Sequence, residues 1–282
     1  MKRFDEILHQ GYSQSFEVTD VLFHEKTGHQ DLVIFETPTF GRVMALDNIV
    51  QVTTKDEYVY HEMLTHVPLL AHGNAPEVLI IGGGDGGILR EVLRHRKVER
   101  ATMVEIDGSV VDLCRKHLPE ISDGAFDDPR TDLIIADGVK FVAETDKRFD
   151  VIIVDSTDPV GPGEVLFTES FYADCKRCLT PGGVLVTQNG VPFFQAQEVT
   201  NTYQRMGKSF ADTGFYTAVV PTYVGGFMTL GWGTDDETLR DVDIEVLRVR
   251  FETSALKTRY YTPDVHRAAF ALPQFILDLM TD

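Results

Sequence analysis

The chain has 282 residues, of which 43% are hydrophobic and 25% charged. This is the composition of a globular protein whose core needs neither disulfides nor a metal ion. Lysine and arginine number 26 against 44 aspartates and glutamates, so the formal net charge is −18. That charge repels phosphate backbones and anionic membranes and suits a cationic ligand. We therefore expect neither a nucleic acid nor a membrane as partner.

Membrane insertion and secretion are not indicated. The apolar runs at 78–81 and 151–154 stop after four residues, whereas a membrane-spanning helix needs ~20. Residues 1–14 are charged and polar and lack the apolar segment of a secretory signal. With no such signal, an odd and small number of cysteines predicts a reducing compartment, and hence a cytoplasmic protein: Cys114, Cys175 and Cys178.

The first seventy or so residues are predicted to form mainly strands. Hydrophobic residues alternate over 15–23, and 31–36 is a short apolar run. Residues 42–46 and 49–53 flank the turn-like pair Asp47-Asn48, which predicts a hairpin. These segments predict a small antiparallel β domain.

A helix is predicted next, ending near a domain boundary. Thr54 and Glu57 have the spacing of a capping box, and apolar residues follow at helical intervals. The polar stretch 72–76 ends in a proline and is a plausible boundary. We expect residues 1–72 to form an N-terminal β-strand domain with a connecting helix, and residues 73–282 to form a Rossmann-like catalytic domain with C-terminal helices.

From Glu77 onward, strand and helix patterns alternate. The predicted strands are 77–81, 101–106, 131–136, 150–154, 183–188, 216–221 and 227–231. The predicted helices between them are 87–94, 109–117, 139–145, 169–178 and 195–211. The early strands are apolar throughout, as expected when both faces of a sheet are covered. The pattern predicts a doubly wound α/β sheet of the Rossmann type, followed by helices at 237–256 and 268–280.

A glycine-rich turn connects the first of these strands to its helix. Gly82, Gly84 and Gly87 have the G-x-G-x-x-G spacing, which permits a tight turn and close approach of a nucleotide. Glu105 ends the next strand, where a carboxylate that binds ribose belongs. The alternative is a glycine turn without a ligand, but the strand–turn–helix context favours a nucleoside site.

Asp85 lies inside this turn and narrows the choice of ligand. A carboxylate there repels a pyrophosphate, because two charges ~4 Å apart interact by about 4 kcal/mol at an effective dielectric of 20. This disfavours NAD and favours a nucleoside whose far end is cationic. The alternative is that Asp85 only caps the following helix.

Further acids end successive strands. They are Glu105 and Asp107, then Asp137, then Asp155 and Asp158. Because these strand ends line the ligand crevice of an open parallel sheet, we expect a pocket for a nucleoside and at least one ammonium group. The loop at 155–163, rich in proline and glycine, is either an ordinary connection or a cover over a carboxylate pair that holds an amine.

Two metal-like motifs are interpreted as structural. His61 and His66 in H-E-x-x-x-H lie five residues apart, about 140° around a helix, which does not suit a shared metal ion. Cys175 and Cys178 lack a second cysteine pair, and they occur late in a helix, where a thiolate is not stabilised. No metal site and no bound cofactor are expected.

Taken together, these motifs closely resemble the polyamine aminopropyltransferases of the spermidine synthase family. The matching segments are LIIGGGDGGILREV at 79–92, VEID at 104–107, ADG at 136–138 and DSTDPVGP at 155–162. The likeness extends upstream through 29–36, 41–64 and 66–70, and downstream through 221–228 and 259–273. It covers nearly the whole chain.

The resemblance implies a function and an assembly. Decarboxylated S-adenosylmethionine, a co-substrate and not a cofactor, would give its aminopropyl group to putrescine. The products would be spermidine and 5′-methylthioadenosine. The resemblance also implies a small-molecule enzyme of polyamine biosynthesis that forms a homodimer or homotetramer.

The resemblance also assigns roles to residues. Asp155 would accept the proton, helped by Tyr60. The donor would be bound by Gln30, Gln51, Gly82, Gly84, Asp85, Glu105, Asp137, Gly138 and Pro162. The amine would be bound by His61, Asp85, Asp155, Ser156, Thr157, Asp158 and Tyr223, with Tyr60 and Gln51 also lining its channel.

Other acceptors and activities remain open at this point. Cadaverine, agmatine or spermidine would need only modest changes in the channel. The same scaffold also suits an amine N-methyltransferase, although Asp85 disfavours it. The glycine spacing alone would suit a nicotinamide-dependent oxidoreductase, and a polyamine-binding module would bind both substrates without turnover.

Overall fold

The computed structural model describes residues 2–28, 30–156 and 161–281, and within these ranges the chain begins with an antiparallel hairpin. Its strands are β1 (Arg3–His9) and β2 (Tyr12–Glu17). Gly11 turns the chain with φ of +78°. Phe4 of β1 lies opposite Phe16 of β2, and both side chains are buried. Sequence analysis predicted no strand over residues 3–9.

A four-stranded antiparallel sheet follows, in the order β3-β4-β5-β6. Its strands are β3 (Asp20–Lys26), β4 (Asp31–Thr37), β5 (Gly41–Leu46) and β6 (Ile49–Thr53). The predicted hairpin is confirmed, since β5 pairs with β6 around Asp47 and Asn48. Both turn residues have positive φ, 48° and 64°, which matches the right-handed twist of the two strands.

The single strand predicted over 15–23 was wrong, because two strands occupy that segment. The chain pairs with β1 up to Glu17 and with β4 from Asp20. Between them, the Val18 amide donates to the Lys2 carbonyl and the Thr19 amide to the Glu36 carbonyl. The strand therefore changes partner at this point. A hydrophobic alternation reports burial and not partners, so it could not show the change.

Helix α1 (Glu57–His72) connects the β region to the larger sheet, and almost every side chain in it is buried. It ends at Gly73, whose φ of 78° is left-handed. The predicted capping box is absent: Asp56 is the N-cap residue, and Glu57 instead pairs with Arg90. The Thr54 hydroxyl accepts from the amide of Arg42. Thr54 and Glu57 thus have the spacing of a capping box, but neither bonds the start of α1 as a capping box requires.

The larger sheet has seven strands within the described ranges, in the order β12-β13-β11-β10-β7-β8-β9. The five from β11 to β9 in this order are mutually parallel, while β13 is antiparallel to both of its neighbours. The bounds are β7 (Glu77–Gly82), β8 (Arg100–Glu105), β9 (Thr131–Ile135), β10 (Phe149–Asp155), β11 (Leu179–Gln188), β12 (Asp212–Ala218) and β13 (Met228–Thr234). Together with the N-terminal antiparallel sheets, this confirms the predicted Rossmann-like α/β class.

Helices cover both faces of this sheet. They are α2 (Gly87–Leu93), α3 (Gly108–His117), α4 (Pro119–Ser122), α5 (Gly138–Glu144), α6 (Glu169–Cys178), α7 (Ala196–Met206), α8 (Ile244–Ser254), α9 (Pro263–Ala269) and α10 (Gln274–Leu279). One core cluster includes Ile80, Ile153 and Val186, and the other includes Leu79, Ile152 and Leu185. Neighbouring strand residues thus point to opposite faces, which explains why these strands are apolar throughout.

The C-terminal helices differ from their prediction. The helix predicted over 237–256 is a short 3-10 turn at Leu239–Asp241 followed by α8. The helix predicted over 268–280 is two helices, because α9 ends before Pro273 and α10 begins directly after it. Proline cannot donate the hydrogen bond that a helix interior requires, so the chain breaks there.

Candidate active site

The carboxyl ends of the parallel strands open onto a cavity of about 530 Å³. Residues from the N-terminal sheets, α1 and the seven-stranded sheet all contribute to its wall. Most of the predicted site residues line it: Gln30, Gln51, Tyr60, His61, Gly82, Gly84, Asp85, Glu105, Asp137, Gly138, Asp155, Ser156 and Tyr223. The predicted residues Thr157 and Asp158 lie outside the described residues, as does the side chain of Pro162.

The glycine turn brings three strand ends into contact. A Cβ on Gly82, which has φ of +82°, would overlap the carbonyl oxygen of Asp155. The Gly83 amide donates to that same oxygen at 3.2 Å. A Cβ on Gly84 would lie 3.1 Å from a carboxylate oxygen of Glu105. The glycines therefore set how closely Asp155 and Glu105 approach the loop.

Asp85 bonds the start of a helix and also lines the cavity. Its Oδ1 accepts from the amide of Gly87, the first residue of α2, at 2.7 Å, although the N-cap residue is Gly86 and not Asp85. Its Oδ2 lies 3.4 Å from Nε2 of His61. The carboxylate is 8% exposed and has no arginine partner among the contacts found in the described residues. The hydrogen bond to Gly87 orients Asp85 and leaves one oxygen on the side of the cavity.

His61 is buried between two carboxylates. Nδ1 lies 2.6 Å from Oε2 of Glu57, one turn earlier in α1, and Nε2 faces Asp85. The ring packs where a Cβ on Gly87 would overlap it, so the third glycine of the motif makes room for an imidazole. Burial alone would lower the pKa of His61, but Asp85 and Glu57 outweigh it and raise the pKa to about 10. The two carboxylates thus favour the protonated form of His61.

Asp155 and Tyr60 form the centre of the site. The Tyr60 hydroxyl donates to Oδ1 of Asp155 at 2.6 Å. Burial raises the pKa of Asp155 to about 6, with a further contribution from Asp85, while His61 and Tyr60 oppose the rise. Burial and the charge of Asp155 hold the pKa of Tyr60 well above its usual value, so the phenol keeps its proton. A carboxylate with this pKa accepts a proton more readily than an ordinary aspartate.

The nucleoside end of the cavity contains Glu105 and Asp137. Glu105 accepts from the amide of Asp107 at 2.9 Å, and burial raises its pKa to about 7. Asp137 is more exposed and caps α5 by accepting from the amide of Val139 at 2.8 Å. Gly138 is buried, and a Cβ there would overlap Ile81. These positions leave a flat, glycine-lined recess beside two carboxylates.

The side chains of Gln30 and Gln51 are held by protein groups. The Gln30 amide nitrogen donates to Asp107 at 3.2 Å. The Gln51 side chain donates to the backbone carbonyl of Ile49 at 3.1 Å. The backbone carbonyl of Gln51 accepts from the hydroxyl of Tyr223. Tyr223 in turn packs edge-on to Tyr60, with ring centroids 5.8 Å apart. Through these contacts β6 is connected to Tyr60 and hence to the carboxylate of Asp155.

Sequence reasoning missed the residues of the N-terminal hairpin. Glu6 lines the cavity and is 5% exposed, and its Oε1 accepts from the amide of Val50 at 2.7 Å. Gln14 donates to Glu6 and to the Thr222 carbonyl. His9 also lines the cavity and stacks on Phe194 with ring centroids 4.3 Å apart. The alternation Phe4, Glu6, Leu8 was the available signal, since it places Glu6 on the inward face.

The histidines and cysteines of the two metal-like motifs are all buried, and the two histidines have different partners. His66 lies 3.2 Å from Glu91 and 3.0 Å from His95, whereas His61 contacts a different pair of acids. Cys175 and Cys178 are buried free thiols. Across residues 2–28, 30–156 and 161–281, no group of three or more potential metal ligands occurs. No helix in those ranges is both long and apolar enough to cross a bilayer.

A Rossmann-like sheet with a nucleoside recess and a carboxylate-lined channel defines a class of transferase acting on nucleoside-linked cations. Comparison with known proteins narrows this class. The spermine/spermidine synthase domain matches residues 57–243, and the spermidine synthase tetramerisation domain matches residues 4–54. The chain belongs to the spermine/spermidine synthase family.

Curated relatives and solved structures agree with this membership. The chain is 60% identical over 277 residues to polyamine aminopropyltransferase 1 of Pseudomonas aeruginosa, covering 98% of this chain and 97% of that one. It is 57% identical over 279 residues to the polyamine aminopropyltransferase of Shigella sonnei, covering 99% and 97%.

Among solved structures, a spermidine synthase in complex with the transition-state analogue AdoDATO superposes with a TM-score of 0.93 at 39% identity, covering 99% of this chain and 94% of that one. The spermidine synthase of Thermotoga maritima superposes with a TM-score of 0.91 at 38% sequence identity, covering 99% of this chain and 93% of that one.

Proposed function

We propose that this enzyme transfers the aminopropyl group of decarboxylated S-adenosylmethionine to putrescine, which gives spermidine and 5′-methylthioadenosine. One observation carries the proposal: a single cavity joins a glycine-lined nucleoside recess to the buried acids Asp85 and Asp155. A nucleoside with a cationic tail fits the first part, and an amine fits the second. The relatives' name, polyamine aminopropyltransferase, supports the same reaction.

The donor would lie along the sheet edge. Glu105 would accept hydrogen bonds from the ribose hydroxyls, and the recess beside Asp137 and Gly138 would hold adenine. The sulfonium and the terminal ammonium would then reach Asp85, the carboxylate of the glycine turn. S-adenosylmethionine carries an additional carboxylate, which Asp85 would repel.

The chemical step needs a neutral amine. Its nitrogen forms a bond to the carbon next to the sulfonium, the carbon–sulfur bond breaks, and a neutral thioether leaves. The amine loses its proton to Asp155. Transfer from an alkylammonium of pKa ~10.4 costs about 9 kcal/mol if the carboxylate has the ordinary pKa of 3.8, and about 6 kcal/mol if it is about 6. The burial that raises the pKa of Asp155 therefore lowers the cost of the step.

The second ammonium of the acceptor needs its own anion. Carboxylates beside the reacting amine would oppose its deprotonation, so the remaining charge is best placed elsewhere. Glu6 lines the cavity near Val50 and Thr222, away from the glycine turn. We assign it to the far ammonium of putrescine. Because the sites for both ends are built from the protein, a diamine is favoured over a monoamine.

The test is to identify the products directly. The protein is incubated with decarboxylated S-adenosylmethionine and a panel of putrescine, cadaverine, agmatine and spermidine, and the products are identified by mass. We expect spermidine and methylthioadenosine with putrescine, formed faster than any product of the other amines. A methylated amine formed from S-adenosylmethionine, or binding of both substrates without methylthioadenosine, would overturn the proposal.

We further propose that the protein assembles as a homodimer or homotetramer in the cytoplasm. The match of residues 4–54 to a tetramerisation domain supports self-association. The three cysteines are buried free thiols, which supports a reducing compartment. Light scattering of the purified protein distinguishes the two assemblies.

A further inference from the structure

A series of ion pairs connects the active site through α1 and α2 to the partly exposed side chain of Arg94. Glu57 contacts His61 on one side and Arg90 on the other, with Nη2 of Arg90 2.8 Å from its Oε2. Arg90 also bonds Glu91 at 2.8 Å, and Glu91 bonds Arg94 at 2.8 Å. None of Glu57, Arg90 and Glu91 lines the cavity, so the reaction described above does not use them.

The geometry points to a role for this series of ion pairs in the chemistry. We propose that Glu57 is a positioning residue: by accepting from Nδ1 of His61 it keeps the imidazole doubly protonated, and the resulting cation offsets the negative charge of the two cavity carboxylates, Asp85 and Asp155. The expected effect on kinetics rests on the proposed function. The protonation of His61 rests only on its contacts with Glu57 and Asp85.

The two contacts of His61 support a cation. Nδ1 makes a hydrogen bond of 2.6 Å with Glu57, and Nε2 lies 3.4 Å from a carboxylate oxygen of Asp85. A neutral imidazole has one donor and one acceptor nitrogen, so it would turn a lone pair toward one of these carboxylates, whereas the imidazolium presents an N–H to each. Burial opposes the ionisation of Glu57, but His61 and Arg90 together lower its pKa below the ordinary value, so Glu57 is an anion beside the ring.

Two neighbouring buried carboxylates need such a cation. Asp85 raises the pKa of Asp155, and His61 opposes that rise. The titratable and charged groups around the cluster come from several elements: Glu57 and Tyr60 of α1, Asp85 of the glycine turn, Arg90 of α2, Glu105 of β8, Cys114 of α3, Asp155 of β10 and Tyr223. Arg90 is the other cation of this set, and it bonds Glu57 and Glu91.

The kinetic test compares two buried glutamates of α1. Glu57→Gln removes the anion that holds His61 protonated and keeps the side-chain shape. Glu62→Gln is the matched control, because Glu62 is 1% exposed and instead accepts from the amides of residues 259–261. The pH profile of kcat/KM for the amine is measured for both variants and the unchanged enzyme.

We expect the acid limb of the Glu57→Gln profile to move up by about one pH unit, equivalent to about a tenfold loss on that limb, with recovery toward pH 9. Glu62→Gln should lose activity by the same factor at every pH, if it loses any. Parallel losses in both variants would overturn the proposal, because they would give Glu57 a purely structural role.

A second measurement needs neither activity nor a stable Glu57 variant. The full-length protein is labelled with ¹⁵N-histidine, and His61 is assigned by the signal lost in His61→Gln. Imidazolium nitrogen shifts for His61 at pH 7.5 support the proposal, and neutral imidazole shifts overturn it. Because this readout needs no turnover, it remains decisive even if the enzyme transfers a different group.

Discussion

The surroundings of Asp155 suit its proposed role as a proton acceptor. Burial removes water from the carboxylate, Asp85 adds a like charge, and Tyr60 orients it through a hydrogen bond of 2.6 Å. The backbone of the same residue is fixed by Gly82 and Gly83. The turn that binds phosphate in dinucleotide-binding proteins here contacts the backbone of Asp155, the residue that we propose as proton acceptor.

Asp155→Asn should therefore impair turnover more than binding. A general base contributes about 10²–10⁴-fold, so we expect kcat to fall by at least about a hundredfold while KM for the amine changes by less than about tenfold. Steady-state kinetics with putrescine measure both. Near-normal kcat in a correctly folded variant would remove Asp155 from the base role.

Asp85 stands between the donor and a buried cation. In Asp85→Asn the His61 imidazolium, 3.4 Å away, loses its partner on the cavity side. The carboxylate of S-adenosylmethionine would then meet a positive group instead of a negative one. We expect the preference for the decarboxylated donor to fall by at least about tenfold, as measured by calorimetric titration with both donors.

The control for this prediction removes one negative charge elsewhere. Asp241→Asn changes a side chain that is 87% exposed and should leave the ratio of the two affinities unchanged. If the unmodified protein already bound both donors equally, the explanation of donor choice by Asp85 would be wrong.

At the scale of elements, helices α1 and α2 meet where a side chain would not fit. Gly87 begins α2 directly against the His61 ring of α1. The glycine serves the ligand only indirectly, since it permits contact between two helices that carry charged groups of the site. The need for glycine at position 87 comes from the packing of α1 against α2, so the sequence of either helix alone does not show it.

Gly87→Ala should consequently destabilise the protein by about 1–3 kcal/mol through overpacking. His61→Ala should relieve part of that cost, because it removes the ring that the new methyl group overlaps. In a double-mutant cycle of thermal or urea unfolding, we expect the double variant to be more stable than the sum of the single effects by at least about 1 kcal/mol. Additive effects would contradict the contact.

Helices and strands with a clear hydrophobic pattern could be predicted from the sequence. Strands whose limits depend on which other strand they pair with could not. The parallel strands and the β5–β6 hairpin carry their own signals in apolar runs and turn residues. The signal of strand β1, the alternation of Phe4, Glu6 and Leu8, was weak, because an acid, Glu6, replaces a hydrophobic residue on its inward face. The division between β2 and β3 depends on which strand each one pairs with, and sequence alternation does not encode that.

At the scale of the whole molecule, the cavity is built from segments far apart in sequence. Strand-end acids were predictable because a parallel sheet places its carboxyl ends together. The contributions of Glu6 and His9 depend on how the hairpin packs against the sheet, which no local pattern reports. The ionisation of His61 was likewise hidden, since it needs both Glu57 and Asp85 in contact with one ring.

Burial of Glu105, which we propose to bind ribose, lowers the stability of the unliganded protein. The folded pKa of about 7 lies above the ordinary value of 4.5. Between these two values the folded state binds more protons than the unfolded state, so this group makes stability fall as pH rises. Above pH 7 the loss is complete and is on the order of 3 kcal/mol.

Glu105→Gln should abolish that dependence. We expect the unliganded variant to be more stable than the unmodified protein at pH 8 and nearly equal to it at pH 4.5, in urea unfolding at both pH values. The same variant should bind the donor more weakly. Equal stability at both pH values would show that Glu105 ionises in the folded protein as it does in water.

Glu6 and His9 of the β1–β2 hairpin line the cavity, and this hairpin lies within the residues that match the tetramerisation domain. Under the proposed function, association of subunits through that domain would also fix part of the wall that binds the amine, whereas Asp137 and Gly138, proposed to hold adenine, lie in the other matched domain. Dilution that separates the subunits should loosen the hold on the diamine first, and leave the nucleoside bound.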